Sequence, residues 1–254
     1  MKREDLLCEV IENKPVAKDI FTMVFKSEEI AKEASAGQFV NIKCGENTYL
    51  RRPISICETF GDSVRINYSV VGKGTLFLSE IIPGQTIDVM GALGNSFSIF
   101  EKYKKPLLVG GGAGIYPLYF LSKSIQNAIV ALGFKNREYV NMESEFIKTC
   151  KEVLVSTDDG SYKNKGVVSS LFNIEDYDVI YACGPKPMLK AVCDMANKSG
   201  IHCEVSMEER MGCGIGACKV CACKTKSREG MNFDYSHVCL DGPVFFSNEV
   251  IFDD

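Results

Sequence analysis

Cysteine is the residue type that sets the chemistry of this chain. Cys213, Cys218 and Cys221 are spaced C-x4-C-x2-C, and Cys239 follows after 17 further residues. Three close thiolates and one distant one form an order known to hold a [2Fe–2S] cluster. Gly214 and Gly216 suit that task, because a loop wrapped around a cluster needs unusual φ values and close backbone approach. Its N–H groups can then bond the sulfurs and tune the potential. A zinc ion on four cysteines is the competing reading. Zinc sites usually pair two C-x2-C knuckles, and here the second half offers a single Cys. Cys223 could replace Cys221 in a shifted assignment, but the two-residue gap matches Cys221.

Three further segments read as phosphate sites. Arg51-Arg52-Pro53-Ile54-Ser55-Ile56 follows the third predicted strand. An arginine fork matches a pyrophosphate, and a serine hydroxyl can bond a ring nitrogen. Taken alone, the segment reads equally as a surface arginine pair at the start of a strand. Val71-Gly72-Lys73-Gly74-Thr75 then leads into a predicted helix over about 74–81, where glycines can expose N–H groups to an anion. Leu107 to Ile115 reads as strand, glycine turn and helix start, with Gly110, Gly111, Gly112 and Gly114 in the turn. That is the phosphate-binding context of doubly wound folds. Its glycines run G-x-G-x-G rather than G-x-G-x-x-G. No acid stands at the end of the next strand, so Lys135, Arg137 and Glu138 leave NAD against NADP open. Cys183-Gly184-Pro185 ends the last clear strand, where a small thiol beside glycine leaves room for a nicotinamide ring. A plain turn into a helix, with a buried Cys, is the alternative.

These motifs need elements to position them. The 254 residues are 46% hydrophobic and 24% charged with net charge −4, which excludes disorder and a fibrous protein and argues against a nucleic-acid binder. The charged start Met1-Lys2-Arg3-Glu4-Asp5 has no signal-peptide character, so a cytoplasmic protein with reduced thiols is expected. Cys8, Cys44, Cys57, Cys150, Cys193 and Cys203 are scattered singly and read as buried, inert thiols. Residues 1–102 show short alternating runs at 7–10, 20–25, 38–42, 63–70 and 86–89, separated by turn signals, and read as an antiparallel barrel or sandwich. Over 103–205, apolar runs alternate with helical stretches, including predicted helices from 142 to 150 and 186 to 199, which implies a doubly wound parallel sheet. Residues 206–254 hold the cysteine cluster and no obvious long element.

The whole pattern resembles the ferredoxin-reductase superfamily. Within it, R-P-I-S, G-K-G-T, G-A-L-G-N-S-F from Gly91, V-G-G-G-A-G-I-Y-P from Val109, C-G-P-K-P-M from Cys183 and the cysteine segment look like the electron-transfer subunits of type 1B dihydroorotate dehydrogenases. The resemblance covers nearly the whole chain. It implies an FAD-binding antiparallel β-barrel, an NAD-binding α/β domain and a C-terminal [2Fe–2S] region. It also implies a 2+2 heterotetramer with FMN-bearing catalytic subunits, in pyrimidine (UMP) biosynthesis. By position, Arg52, Pro53, Ile54 and Ser55 would hold the flavin and its phosphates, and Asn67, Tyr68 and Ser69 would run along it. Gly74 and Thr75 would cap the pyrophosphate, and Cys213, Cys218, Cys221 and Cys239 would bind the cluster. Ile54 stands where relatives often have an aromatic, which leaves Tyr68 as the candidate for stacking on the ring.

The implied relay runs from the partner's FMN through cluster and FAD to NAD+, since a flavin can exchange both single electrons and a hydride. No acid–base pair for dihydroorotate is visible, and His202 and His237 read as structural, so no catalytic residue is expected in this chain. Two rivals stand beside this reading. One is the FAD/[2Fe–2S] subunit of an NADH-dependent ferredoxin:NADP oxidoreductase or a sulfide dehydrogenase, against which Cys213 argues. The other is a non-enzymatic zinc-bound interaction module, against which Arg52–Ser55 and the glycine turns argue.

Overall fold

Alternating side chains close the first part of the chain into a barrel. In the computed structural model, which describes residues 5–46, 48–227 and 232–252, its strands are β1 (Asp5–Ala17), β2 (Ile20–Lys26), β3 (Phe39–Ile42), β4 (Arg52–Phe60), β5 (Ser63–Ser69) and β6 (Thr86–Leu93). They pair antiparallel in the closed order β1-β2-β5-β4-β3-β6. Closure leaves no unpaired edge. On β5, Val64, Ile66 and Tyr68 enter the apolar interior, whereas Arg65 and Asn67 bond one another outside it. This is the period of two that a pleated strand imposes. Met1–Glu4, whose charges argued against a leader, lie outside the described residues.

Two short helices accompany the barrel: α1 (Glu28–Glu33) and α2 (Lys73–Ser79). The first was not expected. Six residues are too few for an apolar periodicity, and its start rests on Ser27, whose Oγ accepts the Ile30 N–H at 3.3 Å. Helix α2 starts one residue earlier and ends two earlier than its predicted span. Its Leu78 is buried in the barrel core.

The second unit is a parallel sheet. Its strands are β7 (Pro106–Gly111), β8 (Ile129–Phe134), β9 (Glu152–Thr157), β10 (Asn164–Lys165), β11 (Val179–Cys183) and β12 (His202–Ser206). Helices α3 (Ile115–Ser122), α4 (Glu143–Thr149) and α5 (Lys186–Ser199) connect them. Helix α5 has the predicted bounds; Pro185 precedes it and Gly200, at φ +66°, ends it. Alternate residues feed two cores, one on each face. Leu107, Val109, Ile180 and Ala182 pack with α5, while Leu108, Val130, Tyr181 and Val179 pack with α3.

The C-terminal part returns to this sheet. After the hairpin β13 (Ala222–Thr225) and β14 (Asp234–His237), β15 (Val244–Phe246) pairs antiparallel with β12. The sheet order is β10-β9-β8-β7-β11-β12-β15. The expected boundary at 205/206 therefore lies within β12. Asn95, just past β6, ties the barrel to the tail. Its N–H donates to Gly242 O at 2.7 Å, its Nδ2 donates to Asp241 O at 3.1 Å and Val244 O at 2.8 Å, and its Oδ1 accepts the Val244 N–H at 2.9 Å. Among the described residues, no helix is long and apolar enough to cross a membrane.

Asn95→Ala strips partners from part-buried backbone groups, so it is expected to cost about 1–3 kcal/mol of stability in denaturant unfolding. A loss below about 0.5 kcal/mol, the range of an ordinary surface change, would contradict the tie.

Candidate functional site

The cysteine loop is built to present backbone N–H groups to sulfur. Gly214 (φ +75°), Gly216 (φ +85°) and Lys219 (φ +58°) turn the chain back on itself. A Cβ on Gly214 would stand 2.5 Å from Asn41 Nδ2, so the loop lies directly on β3. Asn41 Nδ2 also donates to Cys213 O at 3.3 Å. Around Cys213 Sγ, the N–H groups of Ile215 and Cys218 both donate at 3.4 Å, and the Cys213 N–H returns a bond to Cys218 Sγ at 3.3 Å. Cys221 Sγ and Cys239 Sγ are 3.3 Å apart. The Gly216 N–H donates to Cys239 Sγ at 3.1 Å and the Cys239 N–H to Cys221 Sγ at 3.5 Å.

The four thiols are thus grouped two and two: Cys213 with Cys218 at the outer side, Cys221 with Cys239 buried. Among the described residues, no three His, Cys, Asp or Glu side chains converge on one metal-sized point. A [2Fe–2S] cluster places two thiolates on each of two irons, whereas zinc needs four on one point, so this donor set fits the former. Burial works to raise the Cys213 thiol, but the N–H groups of Ile215 and Cys218 outweigh it and bring it down to about 6. Cys213 is then largely a thiolate at neutral pH, the form that binds metal. Cys239 is pushed up to about 12, by burial first and then by its bond with Cys221. Metal ligation there must release a proton. Cys223 stands on β13 opposite Ser236, buried in the core behind the loop, and burial pushes it up to about 11.

The flavin-type residues divide by side of the barrel wall. Arg51 is structural: its Nη2 pairs with Asp5 and Asp88, both at 2.9 Å. Arg52 instead lies over the start of α2. A Cβ on Gly74 would stand 2.5 Å from Arg52 Nε, so only glycine lets the guanidinium reach that backbone. Thr75 Oγ1 accepts the N–H of Val71 at 2.9 Å and of Gly72 at 3.3 Å, so its hydroxyl first caps its own helix. Pro53 and Ser55 are half-buried on β4, Ile54 points into the core, and Ser69 is half-buried at the end of β5. Tyr68 points inward. Its ring lies inside the barrel, stacked on Phe21 at 5.9 Å, and its hydroxyl donates to Asn13 Oδ1 at 2.9 Å. The strand period turns its ring to the barrel interior, on the opposite side of β5 from Asn67.

The nucleotide-type turns meet at the switch point of the sheet. β8 lies on one side of β7 and β11 on the other, and Gly110 is in register with Cys183. Open α/β sheets bind ligands in the crevice at such a point. The two turns interlock. A Cβ on Gly114 would fall on the Cys183 carbonyl, and one on Gly111 would stand 2.7 Å from Met188 Sδ and 2.9 Å from Pro185 Cδ. Gly112 has φ +54° and Gly184 φ +157°. Burial raises the Cys183 thiol to about 12, which keeps it neutral. Glu138, one of the three residues that left NAD against NADP open, is paired with Lys18 of the barrel at 2.6 Å. His202 packs against Phe100, Tyr103 and Phe246, and His237 lies beside Asp241.

All three groups border one stretch of the barrel. The glycine turn approaches β5, Arg52–Ser55 lie on β4, and the cysteine loop sits on β3; these strands are neighbours in that order. Sequence reasoning did not find Asn41, the residue that seats the cysteine loop. Its signal was a fully buried amide inside the apolar run Phe39–Ile42.

If the pairing is correct, Cys221→Ser abolishes the visible cluster spectrum while Cys223→Ser retains it. The opposite result would assign the third ligand to Cys223 in place of Cys221.

The comparisons with known proteins follow the same lines. A family profile for the iron-sulfur cluster binding domain of dihydroorotate dehydrogenase B matches residues 208–251. The chain is 41% identical to the dihydroorotate dehydrogenase B (NAD(+)) electron transfer subunit of Caldanaerobacter subterraneus subsp. tengcongensis, covering 96% of this chain and 97% of that one. It is 42% identical to the subunit of that name from Fusobacterium nucleatum, covering 98% and 99%. Among solved structures, one described as an NADH-dependent reduced ferredoxin-NADP oxidoreductase superposes with a TM-score of 0.85 at 34% identity, covering 97% of this chain and 90% of that one. The cytochrome b5 reductase domain of Ulva prolifera nitrate reductase, at 17% identity and TM-score 0.64 over 78% and 94% of the chains, shares the fold alone. Full-length identity at this level, with the cysteine segment matched in its own right, shows that the chain belongs to the family of dihydroorotate dehydrogenase B (NAD(+)) electron transfer subunits.

Proposed function

We propose that this chain carries electrons from the FMN of a dihydroorotate dehydrogenase catalytic subunit to NAD+, as one of two such chains in a 2+2 heterotetramer of the cytoplasm that serves UMP biosynthesis. The observation that carries this reading is the order of the three residue groups along β5, β4 and β3. When bound, the [2Fe–2S] cluster supplies one-electron transfer and FAD the exchange between single electrons and a hydride.

The chain's own residues do the positioning. Cys213, Cys218, Cys221 and Cys239 hold the cluster in residues 206–254, and the N–H groups of Ile215, Gly216, Cys218 and Cys239 stabilise charge on the sulfurs. In the barrel of residues 1–102, Arg52 and the Gly74 backbone neutralise the flavin pyrophosphate. Pro53, Ser55, Asn67 and Ser69 line the ring along the outer wall. In residues 103–205, Gly110, Gly111, Gly112 and Gly114 let the nucleotide backbone approach, and Cys183, Gly184 and Pro185 leave space for the nicotinamide. In this reading the proton chemistry of dihydroorotate belongs to the partner.

The second reading, an NADH-dependent ferredoxin-NADP oxidoreductase subunit, is favoured by the fold likeness at a TM-score of 0.85. Co-expression separates the two. Purified anaerobically with an FMN-bearing catalytic subunit, the chain is expected to form a stable complex that reduces NAD+ with dihydroorotate. A chain that ignores that subunit but reduces ferredoxin would establish the second reading.

A further inference from the structure

Four charged side chains hold the seam between barrel and sheet. Arg65 on β5 and Glu58 on β4 come from the barrel; Glu145 on α4 and Lys123, just past α3, come from the other side. Arg65 Nη1 donates to Glu145 Oε1 at 2.7 Å and to Glu58 Oε1 at 3.0 Å, and Nη2 donates to Glu145 Oε2 at 3.4 Å. Lys123 Nζ donates to Glu58 Oε2 at 2.6 Å. The Arg65 and Glu58 side chains are only 14% and 12% exposed, so water screens them less than it screens a surface pair.

The same guanidinium orients a residue of the flavin set. Arg65 Nε donates to Thr22 Oγ1 at 3.0 Å and to Asn67 Oδ1 at 3.2 Å, and Thr22 Oγ1 donates to Asn67 Oδ1 at 3.0 Å. With its oxygen taken twice, the Asn67 amide must present its NH2 the other way, where Met142 Sδ lies at 3.6 Å. Met142 is the left-handed residue (φ +58°) that turns the chain into α4. Apolar packing of α3 on β4 brings the two units together but leaves a gap beside α4. A cleft of about 530 Å3 opens at the seam, lined from both sides by Thr22, Arg65, Asn67, Asn141, Met142 and Glu145. Across such an opening the directional charge pairs determine the distance.

Resting on the electron-transfer reading above, we propose that Arg65 is a positioning residue: by clamping Glu145 while holding the Asn67 amide, it fixes how closely the nucleotide turns approach the flavin strands. Hydride transfer depends steeply on that approach. The test is stopped-flow reduction of the FAD-loaded protein by NADH, with hydrogen exchange of residues 141–146 as a second readout. Glu145→Gln is expected to slow flavin reduction at saturating NADH roughly 10- to 100-fold, with wild-type FAD content and faster exchange at 141–146. Arg65→Lys keeps the charge but loses the fork, and carries the same test should the glutamine variant fail to fold. Glu143→Gln is the control, because Glu143 lies on the same helix but its carboxylate bonds Tyr162 and Lys163 rather than the barrel; it is expected to transfer hydride at the wild-type rate. Wild-type rates and exchange in both clamp variants would overturn the inference. A wild-type protein that holds FAD yet takes no hydride from NADH would instead overturn the functional reading beneath it.

Discussion

Helix α3 lies between two layers that both need it. Of its eight residues only Phe120 is not fully buried. One side completes a core with Leu108, Val130 and Leu132 of the sheet, and the other packs on β4 and covers Cys57. A helix enclosed in this way is apolar all round rather than amphipathic. Because the glycine turn is the start of α3, burying the helix carries the turn to the barrel wall. Core packing thus brings the nucleotide turn to the flavin strands, where the Arg65 clamp holds the remaining gap, and it needs small residues wherever backbone meets backbone.

The cysteine loop is placed by different forces. It has little regular structure, and its backbone donors are spent on sulfur. Its position comes from Asn41 beneath it, from Asn95 gripping residues 241–244, and from β15 pairing with β12. All three are long-range contacts, with partners more than a hundred residues apart for the two asparagines. The barrel side is therefore read twice, by a buried helix on one flank and by polar ties on the other, with β4 between them.

The local part of this was legible from residue order. Helix α5 could be bounded because Pro185 and Gly200 mark its ends, and the cysteine spacing marked the loop. The six scattered thiols, Cys8 to Cys203, are all buried as expected. What was not legible depends on register or on distant partners. Tyr68 reads as available until the pairing of β5 turns it inward. Nothing in residue order shows that Glu138 pairs with Lys18, 120 residues away. The tail reads as irregular because a three-residue strand such as β15 gains meaning only beside β12. Buried polar residues were the usable clue that went unread, Asn41 and Arg65 above all, since each needs partners that the linear chain does not name.

The central claim is that the four paired thiols serve two irons beside a flavin, and stoichiometry tests it most directly. Iron, acid-labile sulfide, zinc and FAD should be measured together in the anaerobically purified protein. The account predicts two irons, two sulfides and one FAD for each chain, with no stoichiometric zinc. One zinc per chain without sulfide or flavin would contradict it.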